Sequence, residues 1–300
     1  MSVVNISAIL EPVPVWLRRH SLVKYLLRIF PNSHDQWIEF NNDARAYVDL
    51  RDPEVRNVFL KRTFEPDFFR IARAVLSDGG VYFDCGANFG LCTFGLLPSI
   101  RSATLSCHLF EANSALVSYL ESSSALFPSV QIKIVQGCLS DHAGTSRFQI
   151  SEQFTGHSHV HSSGSSLVGN IVLDAYVEEN RIEKVNFLKI DIEGQELYAL
   201  KGLAAAFRRR AVEVIYLELA TDVLDRYDLL PARIVRFLEN NGFRVFYCRD
   251  KDLSEGQSAT VRFTRSGLNQ LPLIEFKPLT GSLRTDVLAI HEVVIESNRA

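Results

Sequence analysis

The chain has 300 residues, 47% of them hydrophobic and 22% charged, with a net charge of −3 at pH 7. That is enough apolar material to bury a substantial core, so one large domain, or one domain with appendages, is expected. The absence of a basic block argues against nucleic acid as the main partner, no apolar run approaches the roughly 18 residues of a spanning helix, and no signal peptide is evident, so a cytoplasmic protein without a transmembrane segment is expected.

Pro12 and Pro14 break the start of the chain. From Trp16 to Phe30, the residues Trp16, Val23, Leu26, Leu27 and Phe30 stand against Arg18, Lys24 and Arg28 at helical spacing, an amphipathic helix packed on the domain. Asn41 to Asp52, with Ala46, Val48 and Leu50 alternating, reads as a short strand or hairpin. Residues 1–60 are therefore an N-terminal helical extension to a main domain over 61–300. Thr63 to Pro66 opens a helix that runs through Phe68, Ile71, Ala72 and Val75 to Asp78-Gly79-Gly80. Glu65 is either a first-turn acid favoured by the helix dipole or a residue of a crevice wall.

Val81-Tyr82-Phe83 then runs into Asp84, and Gly86 and Gly90 bracket the turn that follows: a buried strand ending in an acid, a tight loop, and a helix from about Leu91. Loop amides and the positive end of that helix would face the crevice at the strand's carboxyl end. A dinucleotide site would need Gly-x-Gly-x-x-Gly here, and Asp84 would repel a pyrophosphate, which counts against a nicotinamide-dependent oxidoreductase. An acid for an ammonium group, beside amides for a carboxylate, suits a nucleoside with an amino-acid arm, and S-adenosylmethionine is such a ligand.

Ala103 to Phe110 is a second strand ending in Glu111, 27 positions beyond Asp84, about the interval at which a second parallel strand carries an acid for a ribose diol. Asn113 to Leu126 is the next helix and Gln131 to Val135 a third strand. At that strand's carboxyl end, where adenine would lie, stand Cys138 and Leu139. The five cysteines, Cys85, Cys92, Cys107, Cys138 and Cys248, are scattered through apolar runs and read as reduced core thiols with no zinc spacing. Residues 145–170 are polar and turn-rich, a substrate-facing loop or hairpin. His157, His159 and His161 alternate within it but have no acidic or cysteine partner nearby in sequence for a metal.

Val172 to Glu179 is a short helix, and Val185 to Ile190 a fourth strand that runs into Asp191-Ile192-Glu193-Gly194, with a helix to Lys201-Gly202. In a doubly wound sheet with strand order 3-2-1-4-5, the first and fourth strands flank the point where the winding reverses, so Asp191 and Glu193 face the same crevice as Asp84. If the extended backbone persists, Lys189, Asp191 and Glu193 share one side. They form the catalytic candidate: Asp191 or Glu193 takes or orients a hydroxyl proton, and Lys189 tunes the pair. A divalent ion on these acids is the second reading. No third ligand is evident, so no metal is assigned. Ala211 to Leu219 is a fifth strand, Leu230 to Asn240 a helix, Phe243 to Tyr247 a sixth strand and Thr285 to Ile290 a seventh. The polar stretch from Arg249 to Phe276 reads as an insertion or lid.

Asp84-x-Gly86-Ala87-Asn88-x-Gly90, Phe110-Glu111, Leu173-Asp174, and Phe187-Leu188-Lys189-Ile190-Asp191-Ile192-Glu193-Gly194 with Leu200-Lys201-Gly202 together resemble the FkbM family of S-adenosylmethionine-dependent methyltransferases, over about residues 60–250 and the closing strand. The Lys-x-Asp-x-Glu-Gly element is the most specific part. The resemblance implies an α/β, Rossmann-like seven-stranded sheet of order 3-2-1-4-5-7-6 flanked by helices, and methyl transfer to a hydroxyl oxygen of a sugar or natural product. It implies that Asp84, Gly86, Asn88 and Gly90 hold the methionine part of the cofactor and Glu111 the ribose. Ala112 stands where proline often follows that acid. The alternative is a non-catalytic protein that keeps the fold as a binding or scaffold module.

Overall fold

In chain order, the elements of the N-terminal part are α1 (Ile6–Leu10), α2 (His20–Ile29), β1 (Asp35–Phe40), β2 (Ala44–Asp49), α3 (Pro53–Lys61) and α4 (Pro66–Leu76). They are followed by β3 (Gly80–Cys85), α5 (Leu91–Leu96), β4 (Leu105–Glu111), α6 (Ser114–Ser124), β5 (Gln131–Gln136), β6 (Cys138–Leu139), β7 (Thr145–Gln149), β8 (His159–Val160) and β9 (Ser166–Ile171). The remainder is α7 (Leu173–Glu179), β10 (Val185–Ile190), α8 (Glu196–Lys201), α9 (Ala204–Arg208), β11 (Val212–Ala220), α10 (Thr221–Leu224), α11 (Pro231–Asn240), β12 (Phe243–Tyr247), β13 (Ile274–Glu275) and β14 (Arg284–His291). The computed structural model describes residues 4–10, 12–14, 19–151, 154–247, 268, 271, 273–275 and 284–295. Trp16, Arg18, Cys248 and most of the stretch expected to be an insertion or lid lie outside the described residues.

The main sheet runs β13-β12-β14-β11-β10-β3-β4-β5. Renumbered by the strands read from the sequence, this is 3-2-1-4-5-7-6 with one strand more at the edge. The sheet therefore has eight strands, not seven: the extra one is a two-residue strand, Ile274–Glu275, paired with Phe246 and Tyr247 and too short to show a period. β14 is antiparallel to β11 and β12, whereas β10 is parallel to β3 and β11.

Alternation along the strands divides the core in two. Tyr82, Phe187 and Val214 face a cluster with Phe40, Phe68, Phe94 and Leu120, while Phe83, Leu188 and Ile215 face one with Leu173, Leu200, Phe207 and Leu238. Helices and the β1–β2 hairpin cover the first face, and α7, α8, α9 and α11 the second. The stretch 41–52, expected to be a short strand or hairpin, holds one strand, β2, which pairs with the preceding β1 that was not expected; the Tyr47 amide of β2 donates to the Ser123 hydroxyl at 2.8 Å.

Other elements differ from expectation as well, and two of them bear on the site. Helix α3 was not read from the sequence, yet its start is explicit: Asp52 caps it, accepting from the amides of Glu54 (2.8 Å) and Val55 (3.1 Å), with proline at the first turn. Residues 145–170 form most of a small sheet of order β6-β9-β7-β8, closed over Cys138, Phe148 and Val168, rather than a loop or single hairpin. Among the described residues, no helix is long and apolar enough to cross a membrane.

Candidate active site

A cavity of about 380 Å³ opens at the carboxyl ends of β3, β4 and β10, where the winding of the sheet reverses. Of the residues singled out in the sequence, Gly86, Asn88, Glu111, Cys138, Leu139, Lys189, Asp191 and Glu193 line it. Asp84 and Gly90 do not; they lie behind its wall. Glu65 lines it too, which settles its two readings in favour of the crevice.

Asp84 is fully buried and is engaged by the protein itself: its Oδ2 accepts from the Thr93 hydroxyl at 2.7 Å, and its Oδ1, which has no hydrogen-bond partner among the described residues, lies 3.3 Å from the Lys189 ammonium. The ammonium group that Asp84 attracts is thus that of Lys189, on the neighbouring strand and in register with it. Lys189 also donates to the Gly86 carbonyl (2.9 Å) and lies 3.5 Å from Asp191. Burial alone would pull the Lys189 pKa down, but Asp84 and Asp191 outweigh it and hold it well above the ordinary lysine value.

The loop amides are likewise engaged internally, which corrects the expectation that they face a ligand. Gly86 and Ala87 both donate to the Phe110 carbonyl (2.9 and 3.0 Å), Asn88 to Glu111 (2.7 Å) and Gly90 to the Ala87 carbonyl (2.7 Å). Gly86 has φ +78°, and a Cβ there would stand 1.9 Å from the Asp191 carbonyl oxygen, so only glycine lets the two loops meet.

Glu111 is pinned at both oxygens, by Asn88 N–H and Asn113 N–H (2.7 and 2.8 Å), which leaves its remaining lone pairs free for hydroxyl donors. Burial raises its pKa, and those two amides act against the rise.

Past Ile190 the backbone leaves the extended form. Glu193 has φ +54° and Gly194 φ +101°, and Glu196 folds back to accept from the amides of Ile192 (3.3 Å) and Gly194 (3.0 Å). Lys189, Asp191 and Glu193 therefore share the cavity but not one strand face. Glu193 pairs with Arg226 at 3.7 Å rather than with Lys189. Burial, then Asp191, pushes the Glu193 pKa up to about 8, and burial pushes Glu196 to about 7.

Several wall residues escaped the sequence reading. Glu54 enters from the first turn of α3, and its pKa is pushed up to about 7 by burial and then by Asp191, Asp52 and Glu65. Thr155 closes another side: its amide and hydroxyl lie 2.9 and 3.0 Å from the second Asp52 oxygen, and the hydroxyl lies 2.9 Å from Asn88 Oδ1. Glu218, Arg284 and Asp286 complete the wall from β11 and β14. The Asp52 cap was the available clue to Glu54. The β11 and β14 residues had none, because only the antiparallel pairing of Glu218 with Asp286 brings them together.

Of the three histidines, only His157 reaches the cavity. Among the described residues, the one grouping with three ligand atoms within 4.8 Å is His34, Asp35 and Asp49, on the hairpin and not part of the cavity wall; Arg51 already pairs with its Asp49 at 2.6 Å.

The chain is similar to several known proteins. The hexuronic acid methyltransferase AglP of Haloferax volcanii is 28% identical over 167 residues, 55% of this chain and 67% of that protein. The crystal structure of the methyltransferase FkbM from Methylobacillus flagellatus KT is 14% identical, with a TM-score of 0.44, and covers 79% of this chain and 52% of that one. That of precorrin-6y C5,15-methyltransferase from Geobacter metallireducens GS-15 is 13% identical, with a TM-score of 0.37, and covers 75% and 86%. The model of the methyltransferase FkbM domain matches residues 84–245, from the buried acid of β3 to the middle of β12 and more than half of the chain. The chain belongs to the FkbM methyltransferase family.

Proposed function

We propose that the protein transfers a methyl group from S-adenosylmethionine to a hydroxyl oxygen of a sugar or related polyol. The observation that carries this is Glu111, fixed through both oxygens at the end of the strand beside β3 and facing the same cavity as Asp191 and Glu193. The residues present suit the cofactor. The cavity is within the range of small-molecule clefts, roughly 300–1,000 Å³, and its walls offer carboxylate acceptors, while the Lys and Arg among its described lining residues, Lys189 and Arg284, are already ion-paired. Glu111 would hold the ribose diol, Cys138 and Leu139 the adenine, and the Gly86–Asn88 segment the methionine arm, with Asp84 and Gly90 shaping that segment from behind. A sugar acceptor agrees with the activity named for the Haloferax relative.

Bound there, S-adenosylmethionine supplies an electrophilic methyl group that passes to the acceptor by in-line displacement. The protein's task is alignment and removal of one proton. Glu193, with its pKa raised to about 8, is the stronger base of the two candidates, and Asp191, held by Lys189, orients the hydroxyl. Calorimetry with S-adenosylmethionine and NAD tests the donor. Single-turnover methyl transfer in Glu193→Gln and Asp191→Asn tests the base, and unchanged rates in both remove that assignment.

A further inference from the structure

The N-terminal segment carries a charge pattern that the cavity does not use. From Pro12 to His34 the chain has no acid, and Arg18, Arg19, Lys24 and Arg28 stand in that stretch, although the whole chain has a net charge of −3. No residue of α2 lines the cavity. Among the described residues, no side chain caps the start of α2 and no acid stands in its first turn, while Lys24 and Arg28 are four apart, where like charges repel. Arg19, Lys24, Arg28 and Lys61 are all exposed and have no ion-pair partner among the described residues. They also converge: the His20 pKa is lowered by burial and then by Arg56, Lys24 and Lys61, so the end of α3 adds its lysine to the same patch.

The apolar side of α2 is wider than the protein covers. Val23 is buried, and Leu22, Leu26 and Leu27 pack half-covered against the core. Tyr25 and Ile29, at helical spacing from Leu22 and Leu26, are instead 59% and 43% exposed. Lys24 and Arg28 form the next row around the helix, so cations border an uncovered apolar strip. Tyrosine at such a border is suited to the headgroup level of a bilayer, with its ring in the apolar boundary and its hydroxyl in water. A second copy of the chain docking here by twofold symmetry would bring the same cations face to face, whereas an anionic lipid surface meets the cations with phosphates and the strip with acyl chains.

We propose that α2 and the adjoining end of α3 are a docking surface for an anionic lipid bilayer. The helix lies along the headgroups, with Tyr25 and Ile29 entering the boundary with the acyl chains and Arg19, Lys24, Arg28 and Lys61 meeting lipid phosphates. Docking is reversible, because one helix of 10 residues buries little apolar area and the attraction of the cations is screened by salt. The surface lies outside residues 84–245, so it belongs to the N-terminal extension rather than to the shared domain, and it does not depend on the methyl-transfer reading.

The full chain is floated with vesicles of phosphatidylcholine alone or of equal parts phosphatidylcholine and phosphatidylglycerol, at low and high salt. It should rise with the mixed vesicles at low salt, be released at high salt, and stay behind with phosphatidylcholine alone. Lys24→Gln with Arg28→Gln should weaken binding by about 25-fold, roughly fivefold per cation, and Tyr25→Ser with Ile29→Ser by at least about fivefold. Arg208→Gln with Arg209→Gln, which removes two exposed cations at the end of α9, should bind as the unaltered chain does. All these changes fall on exposed side chains, so the fold is kept. Equal binding to both kinds of vesicle, binding to neither, or an equal loss in the Arg208 and Arg209 variant overturns the proposal. So does a concentration-dependent dimer in sedimentation velocity that the Tyr25 and Ile29 variant abolishes, which would give the strip to a second copy of the chain.

Discussion

Replacing Glu54 by glutamine should stabilise the ligand-free protein above pH 7 and leave it unchanged below pH 4.5. In the folded chain the Glu54 pKa rises from 4.5 to about 7, through burial and then through Asp191, Asp52 and Glu65, with only Lys189 opposing. A raised carboxylate pKa means that the native state binds the proton more tightly than the unfolded one. Stability therefore falls as pH climbs from the unfolded value toward the folded one, and the whole loss is present above it. One pKa unit corresponds to about 1.36 kcal/mol, so the rise corresponds to roughly 3 kcal/mol, which screening by water in the cavity reduces to about 2 kcal/mol. The amide keeps the shape, and the backbone N–H that Asp52 caps is untouched. Urea unfolding of both proteins at pH 4.5, 7 and 8.5 measures the difference. A gap independent of pH, or a less stable glutamine variant at pH 8.5, would refute the reasoning.

Lys189→Met removes the ammonium beside fully buried Asp84 and should cost about 3–5 kcal/mol in urea unfolding; an unchanged midpoint would show that the pair does not hold β3 to β10. Glu111→Gln keeps an acceptor for one backbone amide but loses the charge, and should weaken S-adenosylmethionine at least about tenfold by calorimetry. Thr155→Val removes the hydroxyl contacts to Asn88 and Asp52 and keeps the amide bond to Asp52, so cofactor affinity should fall while stability changes by only about 1 kcal/mol. Equal affinity would mean that this wall does not shape the cofactor loop.

The parts of the site that were legible in the sequence are those where one strand carries both its burial signal and its functional end. Val81 to Asp84, Phe110-Glu111 and Phe187 to Asp191 each place an acid just where an apolar run stops, and the structure has the three strands adjacent. What those acids face was not legible. Asp84 could be an open anion or half of a buried pair, and only the register of β3 with β10, which sets Lys189 against it, decides for the pair. The bend after Ile190 turns on Glu193 and Gly194 adopting positive φ, which no hydrophobic period records. The other acids of the cavity wall were hidden for another reason. Glu54, Glu218 and Asp286 are remote in sequence, each is the sort of isolated acid that usually stands in solvent, and tertiary pairing alone concentrates them.

That concentration makes ligand binding a proton-linked event. Glu54 at about 7 and Glu193 at about 8 are partly protonated near neutral pH, because burial and then neighbouring carboxylates raise both. A cationic ligand favours the charged form of both, so their pKa values fall and protons leave. S-adenosylmethionine, with its sulfonium and ammonium groups, should release on the order of one proton at pH 7, read as the dependence of calorimetric enthalpy on the ionisation enthalpy of the buffer. The release should shrink in Glu54→Gln and again when Glu193→Gln is added. A net anionic ligand forced into the same cavity would do the reverse and take protons up. Buffer-independent enthalpy for S-adenosylmethionine would mean that the acids of the wall do not sense the charge of what it holds.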